Sequence, residues 1–350
     1  MAKDIRYQKI LIINLGGIGD VLLSTPALRA LKARFPEARI SMLVVSRAHE
    51  VLSGLPYIAE INVLHLRAAR YFRDLMTLMA LRKKQFDLAV NMRTLVSVSS
   101  AQKIKLMLDI IKPKLKAGRD TEGRGYFFDI RVPETDLGDV YEMEYDLETV
   151  KDLGAGVSDK GVDFNIAASD FETVDAILAS RGVAKGDTLI GIHPGGKLSH
   201  RWPLEKFSKV INVINKHCSC KFAVTGDKDE ADLAKKLTKM SDAGLINLAG
   251  ELNLKELGAF IQRCTLFISN DTGSMHIAAI LGAPLVAIFG PGYIMRYDPR
   301  NISRKAAVLY NNTACAPCNK VRCKHLTCLN GILPESVISA AMELLDNRRT

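Results

Sequence analysis

Short aliphatic runs alternate with helical stretches along this chain in two successive series, and that alternation restricts the fold more than any other feature. In the first series Ile10 to Asn14, Ile40 to Val45, Ile61 to Leu64 and Leu88 to Asn91 are aliphatic or β-branched runs bounded by turn residues. Between the first two, Leu28, Leu31 and Phe35 share a helical face, with Thr25 and Pro26 as N-cap and first residue. The second series begins with Thr188 to Ile192 and a helix carrying Phe207, Val210, Ile211 and Ile214, and continues through Phe222 to Thr225, Leu266 to Ser269 and Leu285 to Phe289. Each series predicts a doubly wound parallel sheet with right-handed crossovers. Helical spacing at Met143, Leu147 and Val150 gives way to the turn-rich Gly154 to Lys160 stretch, which sets a first domain at 1–160 and a second at 161–332. A last helix, with Val337, Ala341 and Leu344 on one face, occupies 333–350. In such sheets ligands lie at the carboxyl ends of the strands, so a cleft between two facing domains is expected.

At 350 residues, 48% hydrophobic and 25% charged, the chain has the composition of an ordinary globular protein rather than a disordered or fibrous one. Its longest apolar stretch, Ala283 to Phe289, is far short of the roughly 20 residues that span a bilayer. The first apolar run, Ile10 to Leu15, is too short for a secretory signal core, so a cytoplasmic protein with reduced or metal-bound cysteines is expected. The net charge of +10 is concentrated between Arg67 and Arg131, where 15 basic residues face 6 acidic ones. Two amphipathic segments lie there. One sets Phe72, Met76 and Met79 beside Arg67, Arg70, Arg73, Arg82, Lys83 and Lys84. The other sets Ile104, Met107, Leu108 and Ile111 among Lys103, Lys105, Lys112, Lys114 and Lys116. Such segments are either helices that lie on an anionic membrane surface or solvated basic faces over a core.

Three loops carry candidate chemistry. Leu15-Gly16-Gly17-Ile18-Gly19-Asp20 follows the first strand and opens a helix, so its glycines permit a tight turn and close approach of a ligand. The GxGxxG spacing and the second-strand acid of a dinucleotide site are absent, with Ser46-Arg47 in the acid's place, and no Walker loop is present. Asp20 is then either a helix cap or a carboxylate set beside a backbone-lined hollow. In the second series His193-Pro194-Gly195-Gly196-Lys197 precedes His200-Arg201-Trp202-Pro203, a glycine turn with cations before a helix that suits a pyrophosphate. Ser269 to His276 passes from strand to helix in the same way, either as a cap alone or as a second anion loop.

These elements together, GGIGDVLLSTPAL from Gly16, the HPGG and RWP segments, and SNDTGSMHIAAILGAPLVAIFGP, resemble the family 9 glycosyltransferases, the ADP-heptose:lipopolysaccharide heptosyltransferases. The resemblance covers nearly the whole chain. It implies a GT-B fold with an N-terminal acceptor domain, a C-terminal donor domain and a final helix crossing back to the first. Asp20 matches the family's proposed catalytic base, with Gly16, Gly17, Gly19 and Arg93 on the acceptor side. Asp271, Thr272, Gly273 and His276 match the donor-contacting DTG-x-x-H element, and Glu230 a nucleoside-contacting acid. His193, Gly195, Gly196, Lys197 and Arg201 complete the donor side. The sequence departs from the family at His200, where a lysine commonly stands, so the diphosphate charge is expected to fall to Arg201 or Lys197.

The resemblance implies inverting transfer of a heptose from ADP-heptose to an anionic, lipid-linked lipopolysaccharide acceptor. The enzyme would be peripheral on the cytoplasmic face of the inner membrane, with no nucleic-acid partner and no obligatory metal. Cys315, Cys318, Cys323 and Cys328, with His325 among them, have spacing compatible with a structural zinc knuckle. Two other classes remain open at this level. One is an NADP-dependent oxidoreductase using Arg47, and the other a non-catalytic nucleotide-sugar or membrane-surface binding protein.

Overall fold

In the first of the two sheets the strand order is β3-β2-β1-β4-β5-β6, with β1 (Lys9–Asn14), β2 (Arg39–Val45), β3 (Glu60–Leu64), β4 (Leu88–Asn91), β5 (Leu115–Thr121) and β6 (Ile130–Glu134) all parallel. The second sheet runs β12-β11-β10-β7-β8-β9. It is built from β7 (Leu189–His193), β8 (Lys221–Val224), β9 (Ile246–Asn247), β10 (Leu266–Asn270), β11 (Leu285–Phe289) and β12 (Ala306–Tyr310). Counted within its own half, it has the same order as the first. This computed structural model describes residues 6–135, 138–318 and 320–346, and the chain divides into two units after Asn165.

The central strands are aliphatic throughout because helices cover both faces; Ile10, Leu11, Ile12 and Ile13 are fully buried. The unit boundary lies slightly beyond the turn-rich stretch, and Arg29 explains why. Its guanidinium donates to the Gly161 carbonyl at 2.8 Å and bonds the Asp159 and Asp163 carboxylates, which ties those residues to the first unit. The helix Thr25–Arg34 includes Thr25 itself, with Ser24 in the N-cap position but its hydroxyl donating back to the Val21 carbonyl instead of capping.

The closing helix, Pro334–Asp346, buries its Val337, Ala341 and Leu345 in the second unit's core with Phe207, Val210, Ile211 and Ile214. Leu344, assigned to the buried face from the sequence, packs only at its margin.

The two segments of the basic block fold differently. Helix Val98–Ile111 buries Ala101, Ile104, Leu108 and Ile111, an ordinary core face. Helix Tyr71–Lys83 buries Asp74, Leu78 and Leu81 and leaves Phe72 74%, Met76 55% and Met79 41% exposed, so its apolar stripe is not core. Among the described residues no helix is long and apolar enough to cross a membrane.

Candidate functional site

The strand order reverses between β1 and β4 and again between β7 and β10, and loops leaving the carboxyl ends of such neighbours are where doubly wound sheets hold ligands. In the first unit the loop after β1 leads into helix Ile18–Leu23, whose N-cap is Gly17. Asp20 lies three residues further on and folds back, so that Oδ2 accepts the Gly17 N–H at 2.6 Å. A Cβ on Gly16 would lie 2.4 Å from the Asp20 Cβ, so only glycine allows that return. Asn14 steadies the same turn, its Oδ1 accepting the Gly16 N–H at 3.2 Å. Gly19 is buried inside the short helix. Arg93, from the loop after β4, donates through Nη1 to Asp20 Oδ1.

Arg93 also faces Glu142 Oε1 at 3.4 Å, and Glu142 leads into a buried set of charges. Arg119, on β5, is 1% exposed and donates through Nη1 to Glu142 at 3.1 Å and through Nη2 to Asp146, while its plane lies 5.1 Å from the Tyr145 ring. Glu134 accepts from Thr94 at 2.7 Å and Thr121 at 2.5 Å. Four carboxyls, Asp20, Glu134, Glu142 and Asp146, thus share two guanidinium groups. Burial, reinforced by Glu142, outweighs Arg119 and pushes the Asp146 carboxyl up to about 7. None of Arg119, Glu134, Glu142 and Asp146 was singled out from the sequence. The available signal was the pair of acids one turn apart, Glu142 and Asp146, on a helix that buries Met143, Leu147 and Val150.

In the second unit the loop after β7 holds the glycine turn. Glu230 turns inward, accepting the Gly196 N–H at 2.6 Å and the Asp227 N–H at 3.1 Å. Arg201 donates through Nε to the Gly196 carbonyl at 2.7 Å and approaches Glu230 at 3.5 Å. Arg201 and Glu230 therefore brace the loop, whereas the Lys197 side chain is exposed. Asn270, at the end of β10, joins the two loops by donating to the carbonyls of Pro194 at 2.8 Å and Gly195 at 3.1 Å. His193 shares a hydrogen bond with Thr225 at 3.1 Å, and burial holds its pKa below the ordinary value despite Glu230 nearby.

Thr272 is the N-cap of helix Gly273–Ile280. Its hydroxyl lies 2.7 Å from that of Ser274, which is 3.1 Å from that of Ser269. A helix N-terminus with hydroxyls at its mouth attracts anions. His276 is buried with its ring edge-on to Tyr297. His200 Nδ1 faces Asp271 Oδ2 at 3.1 Å while its Nε2 is buried without a hydrogen-bond partner. The residue that breaks the family pattern is thus paired with an acid of the DTG element.

The cysteine segment has mixed burial in the second unit. Cys315 and Cys323 are exposed, Cys328 lies in the core, and among the described residues no three His, Cys, Asp or Glu side chains converge as metal ligands.

The chain superposes on the family 9 glycosyltransferase structure from Veillonella parvula with a TM-score of 0.78 and 23% identity, over 99% of each chain. Against the structure of E. coli ADP-heptose lipopolysaccharide heptosyltransferase II the TM-score is 0.75 with 21% identity, over 98% of this chain and 100% of that one. Two Rossmann-like halves and these likenesses define the class, a GT-B type α/β protein. The model of glycosyltransferase family 9 (heptosyltransferase) matches residues 76–328, well over half the chain, so the protein belongs to that family and is a glycosyltransferase. Lipooligosaccharide heptosyltransferase 2 of Campylobacter jejuni is 27% identical over 340 residues, covering 94% of this chain and 96% of that protein. The oxidoreductase and non-catalytic readings fall with this membership, and Arg47 is simply an exposed residue of the short helix Ser46–Leu52.

Proposed function

We propose that the enzyme moves a heptose from ADP-heptose to a sugar hydroxyl of the lipopolysaccharide inner core, with inversion and with Asp20 as general base. The observation that carries this reading is the Asp20 carboxylate held by the Gly17 amide and Arg93 where the first sheet changes direction. The acceptor hydroxyl passes its proton to Asp20 as its oxygen bonds the anomeric carbon. The bond from that carbon to the diphosphate breaks, and ADP leaves with the electron pair.

The donor is assigned to the second unit. Its diphosphate lies against the Gly195-Gly196 turn, the Thr272-Gly273 helix start and Lys197, which together meet the negative charge that grows on the leaving group. His193, Arg201, Glu230, Asp271 and His276 shape that surface. No metal ion has a role in this scheme. The relatives are named as lipopolysaccharide and lipooligosaccharide heptosyltransferases, and the exposed Phe72, Met76 and Met79 beside Arg73, Arg82 and Lys83 support work at an anionic bilayer, the cytoplasmic face of the inner membrane.

Incubation with ADP-heptose and a panel of truncated core acceptors tests the reading. ADP release matched by product, with inverted anomeric configuration by NMR, is expected. Failure to glycosylate any core acceptor removes it.

A further inference from the structure

Between the helices Tyr71–Lys83 and Val98–Ile111 the first unit holds a groove of about 460 Å³. Leu75 and Leu78 form one wall, and Ile104, Met107 and Ile110 the other. Leu15, just ahead of the glycine loop, and Arg93, the partner of Asp20, also line it. The lining on the second helix runs from Ser100 to Ile110, which at 1.5 Å per residue is about 15 Å. The groove is therefore a mainly apolar slot about 15 Å along one helix, and its lining includes Arg93, the partner of Asp20.

Its charged lining decides what chemistry enters. Asp74 is already satisfied, accepting the N–H groups of His65 at 2.9 Å and Leu66 at 2.8 Å. Burial would raise that carboxyl, but those amides and His65 outweigh it and hold it below the ordinary range. Arg67 and Lys103, both exposed, then give the rim a positive charge. A sugar or nucleotide would leave its hydroxyls unpaired against Leu, Ile and Met walls. An alkyl chain with an anionic head suits both walls and rim. The exposed stripe of Phe72, Met76 and Met79 is turned about 100° around the same helix from Tyr71, Leu75 and Leu78, so a bilayer meeting the stripe touches the helix that walls the slot.

We propose that this groove holds one acyl chain of the anionic lipid that carries the acceptor sugar. The proposal rests on the lipid-linked acceptor assigned above. A chain leaving the bilayer for the slot exchanges one apolar surrounding for another, so the gain is positional: the saccharide is tethered near Asp20.

Calorimetry with dodecyl phosphate, below its micelle-forming concentration, tests the slot on the full-length protein without any turnover, and so independently of heptosyl transfer. Saturable binding by the wild type is expected, with affinity falling about tenfold or more in Met107→Trp and Leu75→Trp, which displace two or more methylenes from opposite walls. Lys103→Glu, a surface change that leaves the walls intact, is expected to weaken dodecyl phosphate but not dodecanol. No binding by the wild type, or binding indifferent to all three changes, overturns the proposal. In assays, the ratio of KM for an acylated acceptor to KM for its deacylated form is expected to rise about tenfold in the tryptophan variants. An unchanged ratio would give the slot to a free membrane phospholipid, and equal losses on both acceptors would make it a saccharide pocket; either result overturns the assignment to the acceptor's own chain.

Discussion

Arg93 donates to Asp20 through the same nitrogen that faces Glu142 at 3.4 Å, so one guanidinium joins the carboxylate at the sheet's edge to an acid that is 1% exposed. Arg119 continues the chain of charges inward to Asp146. The orientation of Asp20 is thereby fixed from three directions: the Gly17 amide, Arg93 and the tight fit over Gly16. A base held this way loses little freedom when it takes a proton.

Replacing Asp20 by Asn keeps an acceptor for the Gly17 N–H but removes the proton-accepting group. Turnover is expected to fall by a factor on the order of 100 or more, the usual contribution of a general base, while ADP affinity stays within about twofold. Steady-state kinetics and calorimetry check this. Wild-type turnover together with a lowered melting temperature would reduce Asp20 to a helix-start bond.

Asp146 makes stability depend on pH in a direction opposite to an ordinary paired acid. Its carboxyl titrates near 3.8 when unfolded and at about 7 when folded, so between those values the folded state holds a proton that the unfolded state has lost. The resulting stability is fully present below about pH 4 and declines as pH rises towards 7, at up to roughly 1.4 kcal/mol per unit. Asp146→Asn keeps an oxygen for Arg119 and cannot ionise. Denaturant melts across pH 4.5 to 7.5 should show the wild type losing stability relative to the variant; parallel curves would place the proton elsewhere.

Much of this architecture is legible in the sequence because β1 to β4, β7, β8, β10 and β11 are aliphatic runs between turn residues. The strands β5 and β6 are not, since LKAGRDT and IRVPE are broken by charges and by Pro133, tolerable only because β6 is an edge strand and Arg119 and Glu134 find distant partners. Asp20 is legible from its place between a glycine turn and a helix. Its pairing with Arg93 is not, because that contact exists only once β1 and β4 lie side by side. The exposed stripe of Phe72, Met76 and Met79 has the spacing of a core face, and only the packed structure shows that Leu78 and Leu81 take that role.

On the donor side, Gly292 sits against Asp271 so closely that a Cβ there would be 2.3 Å from Oδ2, with His200 Cε1 3.5 Å away. Gly292→Ala must therefore displace Asp271 or its pairing with His200. ADP affinity is expected to fall about tenfold in Gly292→Ala and in Asp271→Ala, with acceptor KM unchanged. Calorimetry with ADP reads both. Unaltered affinity in both variants would move the nucleotide away from this loop.

The final prediction concerns the exposed helix Tyr71–Lys83. Arg73, Arg82 and Lys83 are exposed, whereas Lys84 is bonded to Glu60, so the first three are the charges available to an anionic surface. Each contributes about 1 kcal/mol of attraction near such a surface, so converting all three to Glu should weaken binding to anionic vesicles by a factor on the order of 100 or more. Salt should mimic the change, because exposed charges are screened over about 10 Å at 0.1 M. Phe72→Ser combined with Met76→Ser and Met79→Ser should also weaken vesicle binding, but by removing insertion, so its effect should persist at high salt. Both sets should lower activity on acceptor embedded in a bilayer more than on a deacylated, soluble one. Vesicle binding that survives both sets of substitutions would leave the stripe as a surface without a membrane role, and equal activity losses on both acceptors would place this helix in saccharide recognition instead.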